Sequence, residues 1–121
     1  MSFDLAVISL EQAIDLVEAG NIYAELCDGN YEILGPSAKI DAFYAELIGK
    51  YPDIDNYSDD EVDKCPWSVE IDISDGAVVM CMVWSRVDEV APYVINLAAR
   101  HDLSCYDPQN EKLYLSPSLS R

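Results

Sequence analysis

Positive charge is scarce in this chain. Its 121 residues hold 7 Lys and Arg against 23 Asp and Glu, a formal net charge of −16. A nucleic-acid binder needs basic patches to neutralise phosphates, and seven scattered cations do not make one. The same deficit opposes binding to anionic membranes. Histidine is scarcer still, since His101 is the only one. Asp102 and Cys105 lie near it in sequence, but Cys105 falls in an expected strand and adjacency does not align side chains. A helix-ending histidine accounts for it. Zinc would have to combine this residue with cysteines drawn from scattered positions. The four cysteines, Cys27, Cys65, Cys81 and Cys105, form no C-x-x-C pair. No P-loop, G-x-G-x-x-G or G-x-S-x-G occurs. No uncharged apolar run approaches the ~20 residues that span a bilayer. The start combines no basic cluster with an apolar stretch, because Asp4 and Glu11 interrupt it. These absences predict a cytoplasmic protein with reduced thiols, no cofactor, no metal, no membrane or nucleic-acid partner, and no catalysis.

What is present is a core. Half of the residues are hydrophobic, so the acidity is not that of a disordered tail. The length fits a single domain over residues 1–121. The most apolar stretch is Ala77–Trp84, AVVMCMVW, without charge, Pro or Gly. It follows Asp75-Gly76, a strong signal for a hairpin closed by a type I′ turn. It is expected to be the central strand of a sheet, covered on both faces, with Cys81 as inert packing.

The rest of the chain falls around it. Phe3–Ser9 reads as a strand. Ser9 with Gln12 has capping-box spacing, and Leu10, Ala13, Ile14 and Val17 follow helical periodicity. That helix stops at Gly20-Asn21 or runs on to Cys27. Tyr31–Leu34 reads as a short extended edge. Ile40, Phe43, Tyr44, Leu47, Ile48 and Tyr51 form one helical stripe after Pro36-Ser37, ended by Pro52. Val69, Ile71 and Ile73 alternate with Glu70 and Asp72, as in a half-buried strand. Val87, Val90, Ala91, Val94, Ile95 and Ala98 form another helical stripe. Pro92 implies a start near Glu89 or a distorted first turn. Leu103–Tyr106 is a strand, Asp107–Asn110 a turn, Lys112–Leu115 extended, and Ser116–Arg121 a tail. The order β-α-α-β-β-α-β predicts an α+β fold, a split-βαβ (ferredoxin-like) antiparallel sheet with helices packed on one face.

Between Asp53 and Lys64 the chain is crowded with carboxylates. Asp59, Glu61, Asp63 and Glu70 have the spacing of charged positions in a calcium loop, but Lys64 stands where the loop needs glycine and Pro66 intrudes. Glu70 and Asp72 share a wet strand face and do not make a catalytic pair with separated pKa values. A solvated loop explains the acids, and a docking surface for a partner's cations explains them as well. Tyr51, Tyr57 and Trp67 flank this loop, and aromatic side chains ringed by acids suit a basic protein. The candidate partner-binding set is Tyr51, Asp53, Asp55, Tyr57, Asp59, Asp60, Glu61, Asp63 and Trp67. Tyr106 and Asp107 of a second turn complete it.

In size, acidity and lack of catalytic motifs the chain resembles the bacterial immunity proteins of toxin–immunity pairs. The segments Pro66-Trp67-Ser68 and Tyr106-Asp107-Pro108-Gln109 are the distinctive ones. The resemblance is to the class and carries over no functional residue. It implies tight inhibition of a basic toxin such as a nuclease, by occluding its active site or a neighbouring surface. The competing expectation is a homodimeric binding or assembly module that uses the sheet face.

Overall fold

The computed structural model describes residues 2–120. Five strands form one sheet: β1 (Phe3–Ile8), β2 (Asp72–Ile73), β3 (Ala77–Met82), β4 (Ser104–Asp107) and β5 (Lys112–Tyr114). Their order is β2-β3-β1-β4-β5, and every neighbouring pair is antiparallel. The helices are α1 (Leu16–Cys27), α2 (Ala38–Lys50) and α3 (Val87–Arg100). The fold is α+β with an open antiparallel sheet.

The apolar run is an interior strand but not the middle one. That place belongs to β1, which pairs with β3 from Phe3↔Met82 to Ile8↔Ala77 and with β4 from Ala6↔Tyr106 to Ile8↔Ser104. Val83 and Trp84 leave the sheet, and Trp84 begins a 3-10 turn that runs into α3. The helix starts at Val87, two residues before the expected Glu89, and carries Pro92 inside it.

Alternation along β1 sends Phe3, Leu5 and Val7 to one face, where they meet Val78, Met80 and Met82 of β3. This face is covered by Ile40, Phe43 and Leu47 of α2 and by Val90, Val94, Leu97 and Ala98 of α3. Ala6 and Ile8 point the other way and pack with Ala77 and with Leu26 of α1. The helices are thus divided between the two faces, not gathered on one as expected. A strand apolar on both sides needs cover on both. Ile22 and Leu26, one turn apart on α1, supply it.

Several local expectations change. Residues 10–15 are not helical. The cap is Asp15, whose Oδ1 accepts the Glu18 N–H at 2.8 Å. Asp at the cap with Glu three residues later serves the role expected of Ser9 and Gln12. The helix then passes through Gly20, where a Cβ would come 3.3 Å from the Tyr106 hydroxyl. Tyr31–Ile33 is a 3-10 turn rather than extended. The strand expected over 69–74 shrinks to Asp72–Ile73, and of Val69, Ile71 and Ile73 only Ile71 is buried. The Ile71 N–H is taken by Asp53 Oδ1 at 3.1 Å, outside any ladder.

Asp75-Gly76 does join β2 to β3, but neither residue has positive φ, so the turn is not type I′. Glycine is required at 76 for space. A Cβ there would stand 2.6 Å from Leu34 Cβ and 2.7 Å from the Gly35 carbonyl oxygen. The hairpin tip is bonded to the α1–α2 connection, with Ser37 N–H donating to the Asp75 carbonyl at 3.0 Å.

Helix α3 ends in a Schellman motif: Leu103 N–H donates to Ala98 O at 2.8 Å and Asp102 N–H to Ala99 O at 3.0 Å. Asp102 takes the left-handed position usually given to glycine, at φ 55. Its carboxylate accepts from Ser118 N–H (3.0 Å) and Oγ–H (2.7 Å) and pairs with Lys39 at 3.2 Å. The Ser118 donors, with help from Lys39, hold this carboxyl down at about 2. Ser116 is buried and donates its N–H to Ser104 Oγ at 2.9 Å. The expected tail is therefore pinned from Ser116 to Ser118; Arg121 lies outside the described residues.

The four thiols are free. Burial, reinforced by the Asp4 carboxylate, pushes the Cys81 thiol up to about 11. Burial also raises Cys65 and Cys105, while Cys27 is exposed. Since the thiolate is the nucleophile, a maleimide at about pH 8 is expected to modify Cys27 first, the half-buried Cys81 more slowly, and Cys65 and Cys105 only on unfolding. Peptide mapping by mass spectrometry checks this, and rapid native labelling of Cys105 would contradict it.

Candidate functional site

The acidic segment connects α2 to β2, and its two ends are fastened differently from its middle. At the start, Asp53 is buried, and its Oδ1 accepts from Ile54 N–H at 2.8 Å and Ile71 N–H at 3.1 Å. At the far end, the Trp67 indole is buried and donates Nε1–H to the carbonyls of Pro52 (3.1 Å) and Tyr51 (3.3 Å). One tryptophan thus closes the base of the loop. Its backbone bridges to Met82 at the end of β3.

Tyr51 is buried beside it, edge-on to Trp67 with ring centres 6.4 Å apart and to Tyr93 at 5.4 Å. The Tyr51 hydroxyl donates to Glu89 Oε2 at 2.8 Å. Burial, then the Glu89 carboxylate, pushes this phenol up to about 12. The same bond, with Arg86 at 2.9 Å, lowers Glu89. Arg86 also donates to the Lys64 carbonyl, joining the loop to the turn that carries Trp84. Tyr57 is half-buried against the core, and burial raises its hydroxyl.

Of the eleven residues expected to bind a partner, Tyr51, Asp53, Trp67, Tyr106 and Asp107 are buried and hold the structure together. Tyr106 packs against Tyr23 with ring centres 5.8 Å apart. Asp107 accepts the N–H groups of Gln109 (3.0 Å) and Asn110 (3.2 Å). Asp55, Asp59, Asp60, Glu61 and Asp63 are exposed, with Tyr57 at their margin. Two apolar residues absent from the expected set join them: Val62 is 56% exposed and Trp84 51%. Trp84 stands edge-on to Phe3 at 5.3 Å. Its place at the end of an apolar run, next to the helix start, signalled in the sequence that it would leave the sheet.

The loop, Trp84 and the 107–110 turn gather at one end of the sheet. Phe3 opens β1 there, Met82 closes β3 and Asp107 closes β4. Gln109 of the turn reaches across, donating Nε2–H to the Asp4 carbonyl at 2.8 Å. His101 bonds Glu46 Oε1 through Nε2 at 3.0 Å and lies edge-on to Phe43, so its ring is engaged away from Cys105. Among the described residues no group of three or more His, Cys, Asp or Glu side chains is placed to hold a metal ion. No helix among them is long and apolar enough to cross a membrane. The surface offers carboxylates around exposed apolar side chains, which suits contact with a cationic macromolecule. The chain matches no family model, no curated protein and no solved structure, so its function is read from this surface alone.

Proposed function

We propose that the chain is a non-catalytic inhibitor, an immunity-type protein that neutralises a basic toxin such as a nuclease by covering part of its surface. The observation that supports it most is Trp84, 51% exposed beside a loop whose exposed carboxylates are Asp55, Asp59, Asp60, Glu61 and Asp63. An aromatic anchor supplies contact area, and the surrounding carboxylates speed encounter with a basic partner. The fold goes with this reading as a split-βαβ, ferredoxin-like arrangement, with β1-α2-β2 interleaved with β3-α3-β4. The strand order supports that description, and α1 and β5 are then additions. The competing sheet-mediated dimer has less to recommend it. Helices stand on both sheet faces, and the charge of −16 repels a second copy.

The test is capture from the native cell, using as baits the wild-type chain, Trp84→Ala, and a variant with Asp59→Asn, Asp60→Asn, Glu61→Gln and Asp63→Asn. The expected catch is a basic protein whose activity is blocked at equimolar ratio. Its association should slow at least about tenfold when salt rises from roughly 0.05 to 0.5 M. The neutralised loop should lose most of that salt dependence, and Trp84→Ala should speed dissociation. Association indifferent to salt, or a captured partner that stays active when bound, defeats the proposal.

A further inference from the structure

On the opposite sheet face, the chain from Ser9 to Pro36 forms a second surface of different character. A cleft of about 460 Å³ lies between the segment leading into α1 and the connection that follows it. Leu10, Ile14 and Ile22 line one side, and Ile33 and Leu34 the other. Glu11 and Glu18 also line it. Of the residues that line it, Ile33 is 43% exposed. A smaller hollow of about 230 Å³ flanks α1, lined by Leu16, Val17, Gly20, Tyr106 and Glu111.

The charge of this layer is one-sided. No Lys, Arg or His occurs before Lys39, while Asp4, Glu11, Asp15, Glu18, Glu25, Asp28 and Glu32 do. Every salt bridge among the described residues lies elsewhere: Lys39 with Asp102, Arg86 with Glu89, and Arg100 and His101 with Glu46. Among the described residues, the carboxylates at this cleft therefore form no salt bridge. A cleft of mixed lining, with carboxylates beside apolar side chains, is complementary to a segment with one apolar and one cationic face.

We infer that the cleft beside α1 is a docking groove for a basic amphipathic segment of a partner protein. It lies on the face away from the α2–α3 layer that the 53–67 loop packs against, so it stands independently of the proposal above. The probe is a fluorescent Leu/Lys peptide of about five helical turns, compared with a control that keeps every Lys and replaces Leu by Ser. Anisotropy is followed at roughly 0.15 M salt, where long-range attraction is screened. The Leu/Lys peptide should bind at least about tenfold more tightly than its control. Ile33→Asp, at an exposed position of the cleft lining, should weaken it by a similar factor, as should Glu11→Lys with Glu18→Lys. Asp59→Asn with Asp60→Asn in the distant loop should leave it unchanged. Equal binding of the two peptides, no binding, or equal loss in the loop variant would overturn the groove. A concentration-dependent dimer in sedimentation that Ile33→Asp abolishes would overturn it in favour of a second copy of this chain.

Discussion

Replacing Trp67 with alanine is expected to destabilise the fold by about 3–5 kcal/mol, the range for losing a large buried aromatic. The side chain is 2% exposed and in edge contact with Tyr51. Removing it leaves a cavity in the α2–α3 layer and strands the carbonyls of Tyr51 and Pro52, which share its indole N–H. Trp67→Phe separates the two effects. It keeps much of the buried area and loses only the donor, for about 1–2 kcal/mol. Urea unfolding gives both values. Because the indole closes the base of the 53–66 segment, Trp67→Ala should also open that segment to protease before the rest unfolds. An unchanged urea midpoint would show that Trp67 is not the keystone of this loop.

Asp107→Ala is expected to cost about 1.5–3 kcal/mol, as for loss of a carboxylate that several donors share. Asp107 is 4% exposed. Besides two backbone N–H groups it accepts Gln109 Nε2–H at 2.7 Å and Asn110 Nδ2–H at 2.9 Å. Gln109 is the side chain that ties the turn to Asp4 of β1. The substitution should therefore loosen the β4–β5 hairpin and its hold on the middle strand together. Amide exchange at Gln109 and Asn110 should accelerate along with the fall in urea midpoint. A recognition residue would behave in the opposite way, with stability intact and partner binding lost.

These two residues also mark how far the sequence could be read. Tyr, Trp and Asp in turn-rich stretches look the same whether they face a partner or close a turn. The difference lies in what their polar atoms reach, and those partners are distant in sequence. Trp67 reaches Pro52, and Asp53 reaches Ile71. The exposed members, Asp55, Asp59, Asp60, Glu61 and Asp63, were legible because so dense a run of carboxylates stays in water even where its neighbours Ile54 and Tyr57 pack on the core. Helix α2 was legible for a similar reason. Its stripe of Ile40, Phe43 and Leu47 is local information, and all three are buried. Two caps competed at the start of α1, Ser9 and Asp15, and Asp15 won with Glu18 as its third helical residue. The type I′ turn failed because Asp-Gly reports a conformational preference, while Gly76 answers to the space left by Leu34. The placement of α1 on its own face was signalled by Ala6 and Ile8, which make β1 apolar on both sides.

The position of β1 sets the order in which the sheet can be assembled. The first of the five strands to be synthesised is the middle one, and its partners are Ala77–Met82 and Ser104–Asp107. At about 5–20 residues per second, synthesis keeps β1 waiting several seconds for either neighbour. Non-local pairing of this kind slows folding, because loop closure precedes any gain from contact. During that interval the apolar segment Phe3–Ile8 has neither ladder, and only α1 follows closely enough to shelter one of its sides. Moving β1 to the C-terminus by circular permutation would shorten the wait without altering a single contact in the finished sheet.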